Sequence, residues 1–534
     1  MTGQDNAPNF ELSRRRLLAA AGIAPGVAIA VSVIGVQTAE AAPAASQAAA
    51  RVPAPPVAGL HLQFGADAAA EIVVSWHTLQ AVTGARVLLG RPDGKLEQTV
   101  EARQASYTDG KSKQVVVAHH ATVTKLEADT EYMYAALHDG AAPEFGTFRT
   151  AARGRFAFTF TSFADQGTPT AGKKFVPPAG VTLPGPLFVN DNLGSPFGAD
   201  TTLGVEHVRP LFHLFNGDLC YANLAQDRVR TWWDFWENNT RSARNRPWMP
   251  CPGNHENELG NGPIGFGAYQ TYFSLPEVGA PEVARNLWYT FTAGSVRVIS
   301  INNDDVIYQD AGDVYVRGYS NGVQKTWLEK ELKAARADKA IDWVVICMHA
   351  VAISTVDKFN GADLGIRQEW LPLFDQYGVD LVVCGHEHHY ERTHPLRGAQ
   401  ANETLTPIHV STRTDVVDTS KGTVHMILGG AGTSVPSNEL FFNPPQCRVI
   451  VSVSPERDPV TKHRVPHYVT ENAPWSAVRN GTHGYGFASF AVDPGTKESG
   501  ITSIKVEYYD VVGIDGKLSL FETFTLQRPR RDAV

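Results

Sequence analysis

At 534 residues the chain is too long for one ordinary hydrophobic core, so two domains, or one domain with large insertions, are expected. Hydrophobic residues make up 43% and charged residues 19%, with no long charge run and no short repeat, which excludes a disordered chain and a solenoid. A formal charge of −8 gives no general attraction to nucleic acid or anionic lipid, so an anionic ligand would need a local positive site, most simply a metal.

Residues 1–41 contain Arg14 and Arg15, a mildly apolar stretch interrupted by Gly22, Pro25, Gly26 and Gly35, and a small-residue ending at Ala39, Glu40 and Ala41. This resembles a twin-arginine export signal and predicts a secreted, periplasmic or cell-envelope protein. A membrane anchor over Leu17 to Val36 is the alternative, weakened by those interruptions. No other segment has spanning length, so no stable span is expected in the mature form. Residues 42–56 read as an Ala/Pro linker.

From 57 to 152 the signals are those of β-strands: "EIVVSWHT", "ARVLLG" and "KQVVVAHHATVTKL", separated by turn residues. Tyr132 in "LEADTEYMY" stands where a fibronectin type III sandwich has its corner tyrosine, and the segment resembles that fold. His119 and His120 fall in one of these strands and take surface or core roles.

After Arg153 apolar strands alternate with helical stretches. Strands are expected at 156–163, 211–215, 296–301, 343–348, 381–384 and 424–428, and helices at 225–239, 323–338 and 366–378. This is α/β layering. Two stretches without clear periodicity, 168–200 and 433–482, read as long irregular loops at the rim of a site. Of five cysteines, Cys220, Cys251, Cys347 and Cys384 adjoin metal-type motifs. No CxxC spacing occurs, so they read as buried strand-end thiols.

Polar residues follow each strand, where open α/β sheets bind ligands. Asp165 follows the first, Asp218 and Tyr221 the second, and Asn254, His255 and Glu256 the short piece "WMPC". His349 follows "VVICM", and His386 and His388 follow "LVVCG". Singly, each is an ordinary turn, cap or satisfied polar residue. Together the carboxylates, phenol, amide and imidazoles suit two adjacent metal ions.

The ordered motifs "DQG", "GDLCY", "GNHE", "VICMH" and "GHEH" resemble those of the purple acid phosphatases, within the calcineurin-like metallophosphoesterases. The preceding β-domain is similar to that of the plant-type members. The resemblance implies an N-terminal fibronectin type III-like β-sandwich over 57–152 and an α/β metallophosphoesterase domain over 153–534, with two central β-sheets flanked by helices. It places one metal on Asp165, Tyr221 and His388, the other on Asn254, His349 and His386, and Asp218 between them. The phenolate suits Fe3+, and the other set suits Zn2+, Mn2+ or Fe2+. Asn254 and His255 would bind substrate, with His255 as proton donor.

The implied reaction is phosphomonoester hydrolysis by a metal-bound hydroxide. The alternatives are phosphodiester hydrolysis (of nucleotides or phospholipid head groups) at the same site, or an exported adhesion protein with structural metals. No nucleic acid is expected as a stable partner, and a homodimer is left open. "AVAISTVDKFNGADLG" after His349 lacks the further histidines of plant and animal members. His389, Asp304 and Asp305 are the weaker candidates to replace them. His394 reads as surface or structural, and His207 and His213 as ordinary loop and strand residues.

Overall fold

The computed structural model describes residues 54–533, except 170–172, 175, 177–181, 183–187, 190–191, 311, 461 and 514. The export-signal segment, nearly all of the linker and much of the stretch 168–200 lie outside the described residues.

The N-terminal part is all β. Its strands are β1 (Ala58–Phe64), β2 (Ile72–Thr78), β3 (Arg86–Gly90), β4 (Gln98–Glu101), β5 (Arg103–Thr108), β6 (Val115–Val123), β7 (Glu131–Leu137) and β8 (Glu144–Arg149). They form two four-stranded antiparallel sheets, ordered β1-β2-β6-β5 and β4-β3-β7-β8. β3 shows the expected period of two, with Val87 and Leu89 buried between partly exposed neighbours. Tyr132 accepts the backbone N–H of Glu127 at 3.0 Å, the upstream tie of a corner tyrosine.

This sandwich shares its core with the following domain. On β1, His61 stacks on Trp236 with ring centroids 3.8 Å apart, and its Nε2 lies 3.0 Å from the Tyr272 carbonyl. On β6, His120 sets Nε2 3.0 Å from the Thr271 carbonyl and Nδ1 2.8 Å from Ser75 Oγ. His119 and His120 are therefore core residues.

The second part is α/β, built on two seven-stranded sheets. The first sheet contains β9 (Phe158–Phe163), β10 (Phe212–Asn216) and β11 (Trp248–Cys251), parallel to one another. The second contains β12 (Val296–Ser300), β13 (Trp343–Cys347), β14 (Leu381–Cys384) and β15 (Val424–Leu428), also parallel. β9 to β15 are mostly or wholly buried along their lengths, as parallel strands covered on both faces require. Antiparallel strands, among them β16 (Gly486–Asp493) beside β9, extend the first sheet.

Helix α1 (Arg228–Ala243) begins at Asp227, whose side chain accepts the Arg230 N–H at 2.9 Å. It buries Val229, Trp232, Phe235, Trp236 and Ala243, the spacing of one helical face. The single helix expected over 366–378 is two, Leu364–Glu369 and Leu371–Tyr377. Pro372 explains the break: it lacks an N–H and its ring crowds the preceding turn. His207 lies exposed at the end of the helix Phe197–Val208, not in a loop, and His394 is buried, which fits the structural one of the two roles expected for it.

The stretch 433–482 is an irregular loop only as far as Pro445. Gln446–Arg457 and Arg464–Asn472 pair as a long antiparallel hairpin, followed by the strand Ser476–Arg479. Its first strand does alternate, with Cys447, Val449, Val451 and Val453 at every second position, but the strand is only half-buried and follows the prolines Pro444 and Pro445, which mask that signal.

Candidate metal centre

The C-terminal ends of β9, β10, β11, β13 and β14 bring their polar residues to one place, three from one sheet and two from the other. Close approach is built into the turns. Gly217 has φ of 81°, and a Cβ there would lie 2.6 Å from His349 Nδ1. Asp165, Asp218, Tyr221 and His386 themselves hold φ of 62°, 51°, 56° and 70°.

Two clusters result. In one, Tyr221 Oη lies 3.1 Å from Asp165 Oδ1 and 3.1 Å from His388 Nε2, and the His388 and Asp165 atoms are 3.4 Å apart. In the other, Asn254 Oδ1 lies 3.0 Å from His349 Nε2 and 2.9 Å from His386 Nδ1. Those two ring nitrogens are 3.2 Å apart, and Asp218 Oδ2 is 3.1 Å from His349 Nε2. The His386 N–H donates to Asp165 Oδ2 at 2.9 Å and so joins the clusters.

The outer nitrogen of each imidazole fixes which face is free. His349 Nδ1 meets the Asn216 carbonyl at 2.8 Å, and His388 Nδ1 meets the Val435 carbonyl at 2.7 Å. A carbonyl only accepts, so these nitrogens carry the protons and the Nε2 lone pairs face inward. His386 is arranged the other way round, with Nε2 3.1 Å from Gln309 Oε1 and Nδ1 inward. Around Asn254 Oδ1 the inward atoms are therefore all acceptors. A cation satisfies them, and a proton is the poorer substitute.

Electrostatics agree. Burial works against a charge on His349, but the Asp218 carboxylate raises its pKa to about 10. Burial likewise opposes ionisation of Asp218, yet His349 and His255 hold it below the usual carboxylate range. This proton occupies the place of a cation. Burial drives His386 well below the ordinary imidazole range, keeping it the neutral ligand form. Burial, then Asp165 and Asp218, push the Tyr221 phenol well up, so only a strong cation would ionise it. Asp218, His349 and His386 offer donor atoms all within 4.8 Å of one another.

Glu256 supports the turns from beneath, accepting the N–H groups of Asp218 at 2.9 Å, Leu219 at 2.8 Å and Gly253 at 2.7 Å. His255 lies beside the clusters, its ring 4.6 Å from that of Tyr221 and its Nδ1 2.8 Å from Asn223 Oδ1. A cleft of about 290 Å³ leads to Asn254 and His255, and Asn223, Gln309 and Asn360 also line it. Asn223 stands two residues after Tyr221 and was accessible to motif reading, whereas Gln309 and Asn360 lie in irregular segments with no such signal.

The other candidates stand outside the cleft. His389 is buried against Ser437 Oγ at 2.9 Å and Glu391 at 3.4 Å. Asp305 accepts the Ser320 N–H at 3.1 Å. Asp304 is buried, and none of the three lines the cleft. All five cysteines are buried and free.

Residues 57–150 match the N-terminal domain of purple acid phosphatases and residues 191–390 the calcineurin-like phosphoesterases. The chain belongs to the purple acid phosphatase family. An uncharacterized protein of Mycobacterium tuberculosis is 55% identical over 528 residues, 98% of each chain. The Fe(3+)-Zn(2+) purple acid phosphatase 12 of Arabidopsis thaliana is 25% identical over 347 residues, 62% of this chain and 64% of its own. The purple acid phosphatase PPD1 of yellow lupin seeds superposes with a TM-score of 0.63 at 19% identity, covering 90% of this chain and 76% of that one, and shares the fold. Family membership makes this chain a phosphoester-hydrolysing enzyme with a binuclear metal centre. No helix among the described residues is long and apolar enough to cross a membrane.

Proposed function

We propose that this is an exported phosphatase of phosphomonoesters. The observation that carries the reading is the convergence of inward-facing acceptors around Asn254 Oδ1 and between Asp165, Tyr221 and His388. Asp165, Tyr221 and His388 would hold Fe3+; Asn254, His349 and His386 would hold Zn2+, Mn2+ or Fe2+; and Asp218 would bridge them. When bound, the pair supplies positive charge for the phosphoryl oxygens and acidifies water so that it attacks at moderate pH.

The residues do the rest. Asn254 and His255 face the cleft and orient the phosphoryl group. The water oxygen joins phosphorus, the ester P–O bond breaks, and the leaving oxygen needs a proton. His255 supplies it: Nδ1 is occupied by Asn223 Oδ1, so the imidazolium delivers its Nε2 proton. With the family's further histidines absent, His255 is the imidazole beside both clusters that holds neither. Export rests on Arg14, Arg15 and the small-residue ending at Ala41, and amino-terminal sequencing of the secreted protein tests it.

The main test compares p-nitrophenyl phosphate with its bis ester on metal-loaded protein, with metal analysis and a visible spectrum. Monoester turnover with an iron-phenolate absorption band is expected, and Tyr221→Phe should abolish the band. Negligible monoester turnover beside active diester cleavage would reverse the substrate assignment. An active, colourless and iron-free protein would overturn the iron assignment.

A further inference from the structure

The turn that joins β5 to β6 in the sandwich reaches into the other domain. Asp109 folds it, its Oδ2 accepting the N–H groups of Ser112 at 2.5 Å and Lys111 at 3.2 Å. The Gly110 N–H then donates to Asn261 Oδ1 at 2.6 Å, and Asn261 Nδ2 donates to Glu258 Oε2 at 2.6 Å. Glu258 is fully buried and accepts the Trp232 indole N–H at 2.7 Å, which anchors this tie on α1. A second tie runs from Lys111 Nζ, which donates to the Ala225 carbonyl at 2.6 Å. The fit is steric as well as polar. A Cβ on Gly110 would lie 2.7 Å from Gly260 Cα and 2.8 Å from the Leu259 carbonyl oxygen, so backbone packs on backbone with room for glycine alone.

The two ties end on different loops of the metal centre. Ala225 closes the single-turn helix Ala222–Leu224 after β10, in which the Leu224 and Ala225 N–H groups return to the Tyr221 and Ala222 carbonyls at 3.1 and 3.0 Å. That helix carries Asn223. Glu258 and Asn261 follow the single-turn helix Asn254–Glu256 after β11, which carries His255. The contact of 2.8 Å between Asn223 Oδ1 and His255 Nδ1 therefore crosses from one loop to the other. Each partner is fastened, two or three residues further on, to the same turn of the sandwich. The turn does not line the cleft at Asn254 and His255, so whatever it does there it does through these loops.

We infer that the sandwich turn Asp109–Ser112 is a positioning element for the reaction: it holds the Asn223 and His255 loops in register, and so aims the His255 Nε2 proton at the leaving oxygen. This rests on the phosphatase reading above, with His255 as the donor. A misplacement of about 1 Å costs a catalytic group much of its effect, so two short loops that meet through one hydrogen bond gain from a common rigid support. The N-terminal domain thereby becomes part of the catalytic machinery without contributing a catalytic residue.

The test uses the metal-loaded full chain with three variants. Gly110→Ala drives the turn against Gly260, Lys111→Ala removes the tie to Ala225, and Lys111→Arg keeps a donor there. Lys111 is exposed, so its variants decide the matter even where Gly110→Ala fails to fold. Phenyl phosphate, whose leaving oxygen needs a proton, is compared with p-nitrophenyl phosphate, whose leaving group departs readily without one. In Gly110→Ala and Lys111→Ala kcat for phenyl phosphate should fall about tenfold and that for p-nitrophenyl phosphate less than about threefold, with metal content unchanged. Lys111→Arg should keep the wild-type ratio. Hydrogen exchange read by mass spectrometry should speed up about tenfold in peptides spanning 221–226 and 254–261 and stay at the wild-type rate in the second sheet. Equal losses on the two esters, an unchanged ratio, or loss of metal in step with activity would each overturn the inference while leaving the phosphatase reading in place. Absence of turnover of either ester by the wild type sinks the phosphatase reading, and the exchange rates then still decide whether the turn holds the two loops.

Discussion

Asp165, Asp218, Tyr221 and His386 occupy left-handed backbone conformations that cost roughly 1–3 kcal/mol each at non-glycine residues. Glu256 and the neighbouring glycines offset that strain by pinning the turns, which makes Gly217 a sensitive position. Gly217→Ala should destabilise the fold by about 2 kcal/mol or more, because the methyl group meets His349 at a positive φ. Chemical denaturation measures it, and a stability unchanged within error would show that the turn relaxes. Asn223 offers a functional test at the same scale. Asn223→Asp places a carboxylate on His255 Nδ1 and favours the imidazolium, whereas burial now disfavours it. If His255 is the proton donor, the alkaline limb of the kcat–pH profile moves up by about one pH unit, and a stationary limb would remove His255 from that role.

At the scale of elements, the strands that meet the second domain carry buried imidazoles. Burial lowers the pKa of His61 to about 4, and of His77 and His120 to about 3. Above the ordinary unfolded value of about 6.5 both states are neutral and these groups leave stability independent of pH. Below it only the unfolded chain takes up their protons. Each then removes about 1.4 kcal/mol of stability for every pH unit, down to the folded pKa. Denaturant midpoints should accordingly fall between pH 7 and pH 5, and His77→Leu should make the decline shallower by about a third of the three-histidine contribution. Equal slopes in both proteins would refute this account.

The same elements explain what was legible beforehand. Asp165, Asp218, Asn254, His349 and His386 could be read because each follows a fully or mostly buried strand within a few residues. Burial makes the strand visible, and the turn after it needs polar groups. The hairpin over 446–472 was misread because it is half-exposed and rests on tertiary contacts, and Gln309 is placed at His386 by the Tyr308 and Gln309 N–H groups donating to Asp363. No local pattern encodes such a contact. The apolar spacing on either side of Pro372 reads as one continuous helix, and the proline divides it in two.

For the whole molecule, the metal centre proposed above would fasten one sheet to the other, since its residues follow strands of both. A chelator should therefore lower Tm by several degrees in the wild type and by much less in His386→Ala, as binding to the folded state alone requires. Equal shifts in the two proteins would place the lost cation elsewhere.

The order of strands in the first sheet has a consequence in time. β9, which leads into Asp165 two residues beyond its end, pairs on one side with β10 and on the other with β16, followed in the sheet by Ile501–Val511 and Leu518–Pro529. The neighbours of that strand, which end at Asn216 and begin at Gly486, are thus separated by more than half of the domain. During synthesis Asp165 leaves the ribosome well before residue 486, and its sheet stays open until the strands between 486 and 529 emerge. Contacts this distant in sequence form late in folding. A chain stopped before residue 486 would carry all seven residues proposed to hold the metals and still lack the neighbour that seats the first of them, so on that proposal the metals would enter a finished protein rather than a growing one.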